Sequence, residues 1–175
     1  MHKDLKKILI SEEEIQAAAK RIAAQIDADY QGESVVFVGL LKGSVQFMAD
    51  LLKHVETMCT IDFMCVSSYG SGTKSTGRVN IIKDLSEPID DKNVVIVEDI
   101  IDSGLSMTHL LAEIKKLNPA EIRICSLLVK PGNLQVELDI PYCCFRIPND
   151  FIVGYGLDYD RYGRGLRDIY VVTEG

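Results

Sequence analysis

The chain lacks any apolar run able to cross a bilayer. Its longest, such as Val94 to Val97 and Leu127 to Val129, fall far short of the roughly 18 to 20 residues a spanning helix needs. The opening Met1-His2-Lys3-Asp4-Leu5-Lys6-Lys7 is basic but leads into no apolar stretch of export-signal length, so a cytoplasmic protein is expected. Positive charge is also scarce. With 19 Lys and Arg against 26 Asp and Glu the formal net charge is -7, which leaves no broad basic face to neutralise a row of nucleic-acid phosphates. A few local cations remain able to hold a small anion. The five cysteines (Cys59, Cys65, Cys125, Cys143, Cys144) are odd in number, have no C-x-x-C spacing and sit among apolar neighbours. Buried free thiols are expected, not a disulfide framework or a metal cluster. His2, His54 and His109 show no partner spacing for metal or triad work. Neither repeats nor a Pro/Ser linker interrupt the 175 residues, so a single domain spanning 1–175 is expected.

What is present reads as an alternating α/β plan. Ser11-Glu12-Glu13-Glu14 is a capping box. Ile15, Ala18, Ala19, Ile22 and Ile26 follow at helical spacing, which predicts a helix to about Asp29. Segments 34–40, 94–98 and 122–129 are β-branched and nearly continuous in apolar character, the habit of strands buried on both faces of a parallel sheet. Between them, 45–54 and 107–117 carry helical patterns, the second stopped by Asn118-Pro119. Segments 59–67 and 78–83 flank a loop of small residues and predict an antiparallel pair. Ligands of such sheets bind at the carboxyl ends of the strands.

The most informative stretch is Val94-Val95-Ile96-Val97-Glu98-Asp99-Ile100-Ile101-Asp102-Ser103-Gly104-Leu105-Ser106-Met107-Thr108. A strand ends in two carboxylates and a third opens a Gly/Ser/Thr turn into a helix. Carboxylates at a buried strand end are costly unless something with donors or positive charge meets them. The vicinal hydroxyls of a ribose suit Glu98 and Asp99, and the turn offers the N–H groups and helix start of a phosphate cradle. The plainer alternative is that Glu98 and Asp99 are solvated at a strand end while Asp102-Ser103 caps the helix. Two glycine motifs are decoys. Gly70-Ser71-Gly72-Thr73-Lys74-Ser75-Thr76 does not follow the P-loop order, and Gly154-Tyr155-Gly156-Leu157-Asp158 lacks the third glycine of a dinucleotide turn.

The Val94 to Gly104 stretch closely resembles the phosphoribosyl pyrophosphate signature of the hypoxanthine-guanine phosphoribosyltransferases, within the type I phosphoribosyltransferase family. The likeness runs on through Gly39-Leu40-Leu41-Lys42-Gly43, Ser68-Tyr69-Gly70, Leu128-Val129-Lys130 and Pro148-Asn149-Asp150-Phe151-Ile152-Val153-Gly154-Tyr155-Gly156-Leu157-Asp158-Tyr159. It covers about Ile8 to Val172.

That resemblance implies a central, mostly parallel sheet flanked by helices, with a small hood built from the N- and C-terminal segments. It implies transfer of 5-phosphoribosyl from phosphoribosyl pyrophosphate to N9 of hypoxanthine or guanine, giving IMP or GMP and pyrophosphate. Glu98 and Asp99 would hold the ribose hydroxyls directly or through Mg²⁺, and Asp158 would position a second Mg²⁺. Ile101, Asp102, Ser103, Gly104, Leu105 and Ser106 would surround the 5′-phosphate, with Asp102 also serving N7 of the purine as acid or base. Lys130 would donate to O6, Phe151 would stack on the ring, and the Ile152 backbone would read the base edge. Leu41, Lys42 and Gly43, with a non-proline cis peptide, would bind pyrophosphate together with Arg164, under a lid that includes Ser68 and Tyr69. A homodimer or homotetramer is implied, with neither nucleic acid nor membrane as partner. Leu105 departs from the pattern. Relatives often carry lysine or another polar residue there, so the phosphate grip would rest on backbone N–H groups, Ser103, Ser106 and Thr108. The rival readings are a xanthine-preferring phosphoribosyltransferase and a nucleic-acid-binding regulator that senses the same donor, the latter disfavoured by the acidic balance. Without the resemblance, Lys130 would be a solvated strand-end lysine and Phe151 a core residue.

Overall fold

A computed structural model describes residues 5–68 and 79–172. The elements are β1 (Leu5–Ile10), α1 (Glu12–Asp29), β2 (Ser34–Leu41), α2 (Val45–Leu52), β3 (Met58–Ser68), β4 (Val79–Lys83), β5 (Asn93–Ile101), α3 (Leu105–Lys115), β6 (Glu121–Val129), a single 3₁₀ turn (Pro131–Asn133), β7 (Tyr142–Arg146), β8 (Ile152–Val153) and β9 (Ile169–Val172). Six strands form one sheet in the order β4-β3-β2-β5-β6-β7. Every neighbour pair is parallel except β3 and β4. A second sheet, β1-β9-β8, joins the two ends of the chain in antiparallel fashion.

The continuous apolar character of the central strands has a direct structural cause. Along β2, Val35 and Phe37 enter the core layer shared with α1 and α2, while Val36, Val38 and Leu40 enter a second layer shared with α3. Val95 and Val97 of β5 divide from Val94 and Ile96 in the same way. With helices on both sides the central positions of these strands are shielded from water, so the period of two is masked by burial of both faces.

At the start of α1 the Ser11 hydroxyl accepts from the Glu14 N–H, and the Glu14 carboxylate accepts from the Ser11 N–H at 2.8 Å. The stripe Ile15, Ala18, Ala19, Ile22, Ile26 is buried as its spacing requires. Other boundaries differ from expectation. α3 begins at Leu105, two residues early, because Gly104 adopts a left-handed φ of 80° that turns the chain into the helix. It ends at Lys115, and Asn118 takes a positive φ of 51° instead of extending it. α2 stops at Leu52 rather than His54. β5 does not end at the carboxylates but runs on to Ile101, since β6 continues to pair with it through Ile101 and Val129 after its pairing with β2 has ended at Gly39 and Val97. Strands β7, β8 and β9 carried no strong sequence signal. Among the thiols, which are all free, only Cys125 and Cys144 are buried; Cys59, Cys65 and Cys143 are partly exposed near strand ends and an edge strand.

Candidate active site

The strands β2 and β5 carry their carboxyl ends to one place, and eight of the predicted residues (Leu41, Lys42, Gly43, Glu98, Asp99, Ser106, Asp158 and Arg164) meet there. A cavity of 310 Å³ is lined by Leu40, Leu41, Lys42, Gly43, Val66, Glu98, Asp99, Ser106, Asp158 and Arg164. β2 ends in a cis peptide between Leu41 and Lys42. Gly43 follows with its Cα pressed against Asp99, so close that a Cβ would overlap the carboxylate oxygen Oδ2. Gly156 closes on the other side. Its φ is 98°, and a Cβ there would overlap the carbonyl oxygen of Gly43. Two side-chain-free positions thus let three separated segments converge.

Within this cavity the acidic groups hold different partners. The Asp99 N–H donates to Glu98 Oε1 at 2.9 Å, and the Ile100 N–H donates to Asp99 Oδ1 at 2.8 Å. Burial pushes the Glu98 carboxyl well above the usual carboxylate range, and the adjacent charge of Asp99 pushes it further. Asp158 accepts from Arg164 Nη2 at 2.5 Å and from the Arg161 N–H at 2.8 Å. Arg164 also donates from Nη1 to the Gly156 carbonyl at 2.6 Å, which ties its guanidinium to the cavity wall. Lys42 is exposed at the rim.

This donor set fits a hard divalent cation. Its acidic groups offer hard carboxylate oxygens, and a cation would offset the burial and the Asp99 charge that disfavour ionised Glu98. No group of three or more His, Cys, Asp or Glu among the described residues is spaced to hold one ion.

Three residues beyond Asp99, a second cluster forms around Asp102. Its Oδ2 accepts from Lys130 Nζ at 3.3 Å and its Oδ1 from Asn133 Nδ2 at 2.8 Å. Lys130 is 7% exposed while the Asp102 side chain is half exposed. The helix-cap alternative does not hold for Asp102, because Gly104 occupies the N-cap of α3 and the Asp102 carboxylate accepts from Lys130 and Asn133 instead. The solvated reading of Lys130 fails equally. The first-turn N–H groups of α3 have no intrahelical acceptors, although the Ser103 hydroxyl takes the Leu105 N–H at 3.3 Å. Thr108 is withdrawn from the expected cradle, since its hydroxyl donates to the Gly104 carbonyl at 3.0 Å.

Phe151 is 46% exposed, contrary to the core reading, and meets Tyr159 edge to face with ring centroids 5.6 Å apart. Ile101 and Ile152 are buried in the core, which leaves only their backbone for a ligand. Ser68 ends β3, while Tyr69 and the loop through Arg78 lie outside the described residues. Sequence reasoning missed Asn133 and Tyr159. The Pro131-Gly132 pair was the available signal for Asn133, since such a turn folds the chain back beside Lys130. A larger open cleft of 1090 Å³ lies at the amino ends of β2 and β3, and none of the predicted site residues lines it.

Carboxylates, two cations and a helix start thus gather at the carboxyl ends of a mostly parallel sheet, and the model of the phosphoribosyl transferase domain matches residues 8–160, which puts the chain in that class. The hypoxanthine-guanine phosphoribosyltransferase of Streptococcus pneumoniae is 46% identical over 99% of this chain and 97% of its own. That of Staphylococcus aureus is 47% identical over 95% and 93%. The crystal structure of a hypoxanthine-guanine phosphoribosyltransferase from Bacillus anthracis superposes with a TM-score of 0.93 at 44% identity, covering 97% of this chain and 99% of that one. The chain belongs to the hypoxanthine-guanine phosphoribosyltransferase family. No helix of the described residues is long and apolar enough to cross a membrane.

Proposed function

We propose that this chain transfers a 5-phosphoribosyl group from phosphoribosyl pyrophosphate to N9 of hypoxanthine or guanine, giving IMP or GMP and releasing pyrophosphate. The observation that carries the reading is the convergence of Leu41–Gly43, Glu98, Asp99, Asp158 and Arg164 on one cavity, with the Asp102–Lys130 pair beside it.

In this reading Glu98 and Asp99 receive the ribose hydroxyls, and the α3 N-terminus with Ser103 and Ser106 receives the 5′-phosphate. Lys42, the Gly43 backbone and Arg164 take the pyrophosphate, whose charge grows as the bond to C1 stretches. Mg²⁺ held by Glu98 and Asp99, and a second ion near Asp158, would neutralise the donor's phosphates and help the pyrophosphate leave. Asp102 exchanges a proton with N7 as N9 bonds to the sugar, and Lys130 donates to O6. The exposed ring of Phe151 stacks on the purine. The whole chain acts as one domain, with the β1-β9-β8 sheet as the hood over the base. Its five free thiols favour a reducing compartment such as the cytoplasm. Exposed Ile61 and Ile82 on the neighbouring strands β3 and β4 support assembly into a dimer or tetramer.

Pyrophosphate release measured with hypoxanthine, guanine, xanthine, adenine and uracil tests the assignment. Turnover is expected with the first two. Release confined to xanthine, or with no base at all, would overturn it. Phe151→Ala is expected to raise the Michaelis constant for the base about tenfold, since stacking on an aromatic ring contributes on the order of 1 to 3 kcal/mol per base. An unchanged constant would remove Phe151 from the base platform.

A further inference from the structure

We propose that Asn133 is a positioning residue for the acid–base step, holding the Asp102 carboxylate in one orientation. The inference rests on the role assigned above to Asp102. The two oxygens of that carboxylate have different partners, Lys130 on Oδ2 at 3.3 Å and Asn133 on Oδ1 at 2.8 Å. Lys130 is also the donor assigned to O6 of the base, so its ammonium is shared once substrate binds. The Asn133 amide has no such second duty, and its shorter contact then becomes the one that fixes the carboxylate plane.

Asn133 is itself held by the fold. It ends the 3₁₀ turn Pro131–Asn133 directly after β6, and its N–H donates to the Lys130 carbonyl at 3.1 Å. Two residues on, the Gln135 N–H donates to the Ser103 carbonyl at 2.9 Å, which ties this segment to the turn that follows Asp102. The side chains of Leu134, Val136 and Leu138 then cover Gly104 so closely that a Cβ there would come within 2.8 Å of Val136 and 2.9 Å of Leu138. The amide of Asn133 is therefore carried on a segment bonded and packed against the same turn as its acceptor. A donor so placed fixes the plane of the carboxylate it meets, and a hydrogen bond to a carboxylate is among the stronger side-chain contacts.

Three variants separate this role from mere loop packing. Asn133→Ala, which deletes the donor, is expected to lower kcat about tenfold with the Michaelis constant for phosphoribosyl pyrophosphate changed less than about twofold, in line with the usual worth of a hydrogen bond to an ion. Asn133→Asp keeps the shape but replaces the donor with a like charge, so it is expected to fall below Asn133→Ala. Asn133→Gln, which retains the amide, is expected to recover part of the loss. If shape alone matters, Asn133→Asp will be the mildest of the three, and that order would overturn the proposal, as would unchanged kcat in Asn133→Ala. Asp102→Ala serves as the reference. If that variant turns over normally, the acid–base reading itself fails; if it is inactive while the Asn133 series follows shape, only the positioning role fails.

Discussion

Asp102→Asn is expected to lose turnover by about two to four orders of magnitude, the usual worth of a positioned general acid or base, while binding of phosphoribosyl pyrophosphate is largely retained. The substitution keeps the volume of the side chain and removes its ability to take up or release a proton at N7. It also disturbs the surroundings in a specific way. Asp102 accepts on both oxygens, from Lys130 and from Asn133, whereas an asparagine can accept on only one. The other donor is left facing an NH₂ group. In either orientation the nearly buried Lys130 ammonium loses its counter-charge, and in one of them it also loses its acceptor. Single-turnover rates together with calorimetric titration of the donor separate chemistry from binding. A rate close to that of the unaltered enzyme would remove Asp102 from the chemistry.

The second large effect falls on a residue with no side chain. Gly43→Ala would place a methyl group inside the Asp99 carboxylate, and both neighbours are fixed. Asp99 accepts the Ile100 N–H, and Gly43 is backed by Gly156, whose own chain is held by Arg164. Relief requires the Asp99 carboxylate to turn away or the loop after β2 to withdraw. Either movement separates groups assigned to the ribose and to the pyrophosphate. A misplacement of about 1 Å can cost on the order of a hundredfold in rate, so kcat/KM for the donor is expected to fall about that much. The overpacking should also cost about 1 to 3 kcal/mol of stability, visible as a lower midpoint in thermal or urea unfolding. Wild-type kinetics in a fully folded Gly43→Ala protein would mean that the loop and Asp99 do not act as one surface.

The two residues differ in how they could be recognised. Asp102 stands in a stretch whose chemistry is readable from its order: an apolar strand, paired carboxylates, then a Gly/Ser turn. Gly43 is legible as part of a motif, but its reason is not. That reason is a distance between β2 and β5, whose paired positions, such as Val35 and Asn93, are 58 residues apart in the chain and adjacent in the sheet. Burial was also misjudged where a residue's environment comes from distant segments. Lys130 reads as solvated and is buried, because the 3₁₀ turn and Asp102 enclose it. Phe151 lies in an apolar run and is exposed, because β8 is only two residues long and starts after it. Asn133 had no chemical signature, since an amide acquires a function only from what it faces.

The order of residues determined by itself the alternating helices and strands, the burial of both faces of the central sheet, the capping box of α1 and the segment on which the chemistry rests. All of these follow from local periodicity and short-range hydrogen bonding, which a linear pattern records. Tertiary structure alone decided that β5 continues past its carboxylates, that Gly43 and Gly156 close on each other, that Phe151 faces outward and that Asn133 meets Asp102. Each depends on close packing between segments far apart along the chain, where exclusion of a single methyl group or supply of a single N–H decides the arrangement.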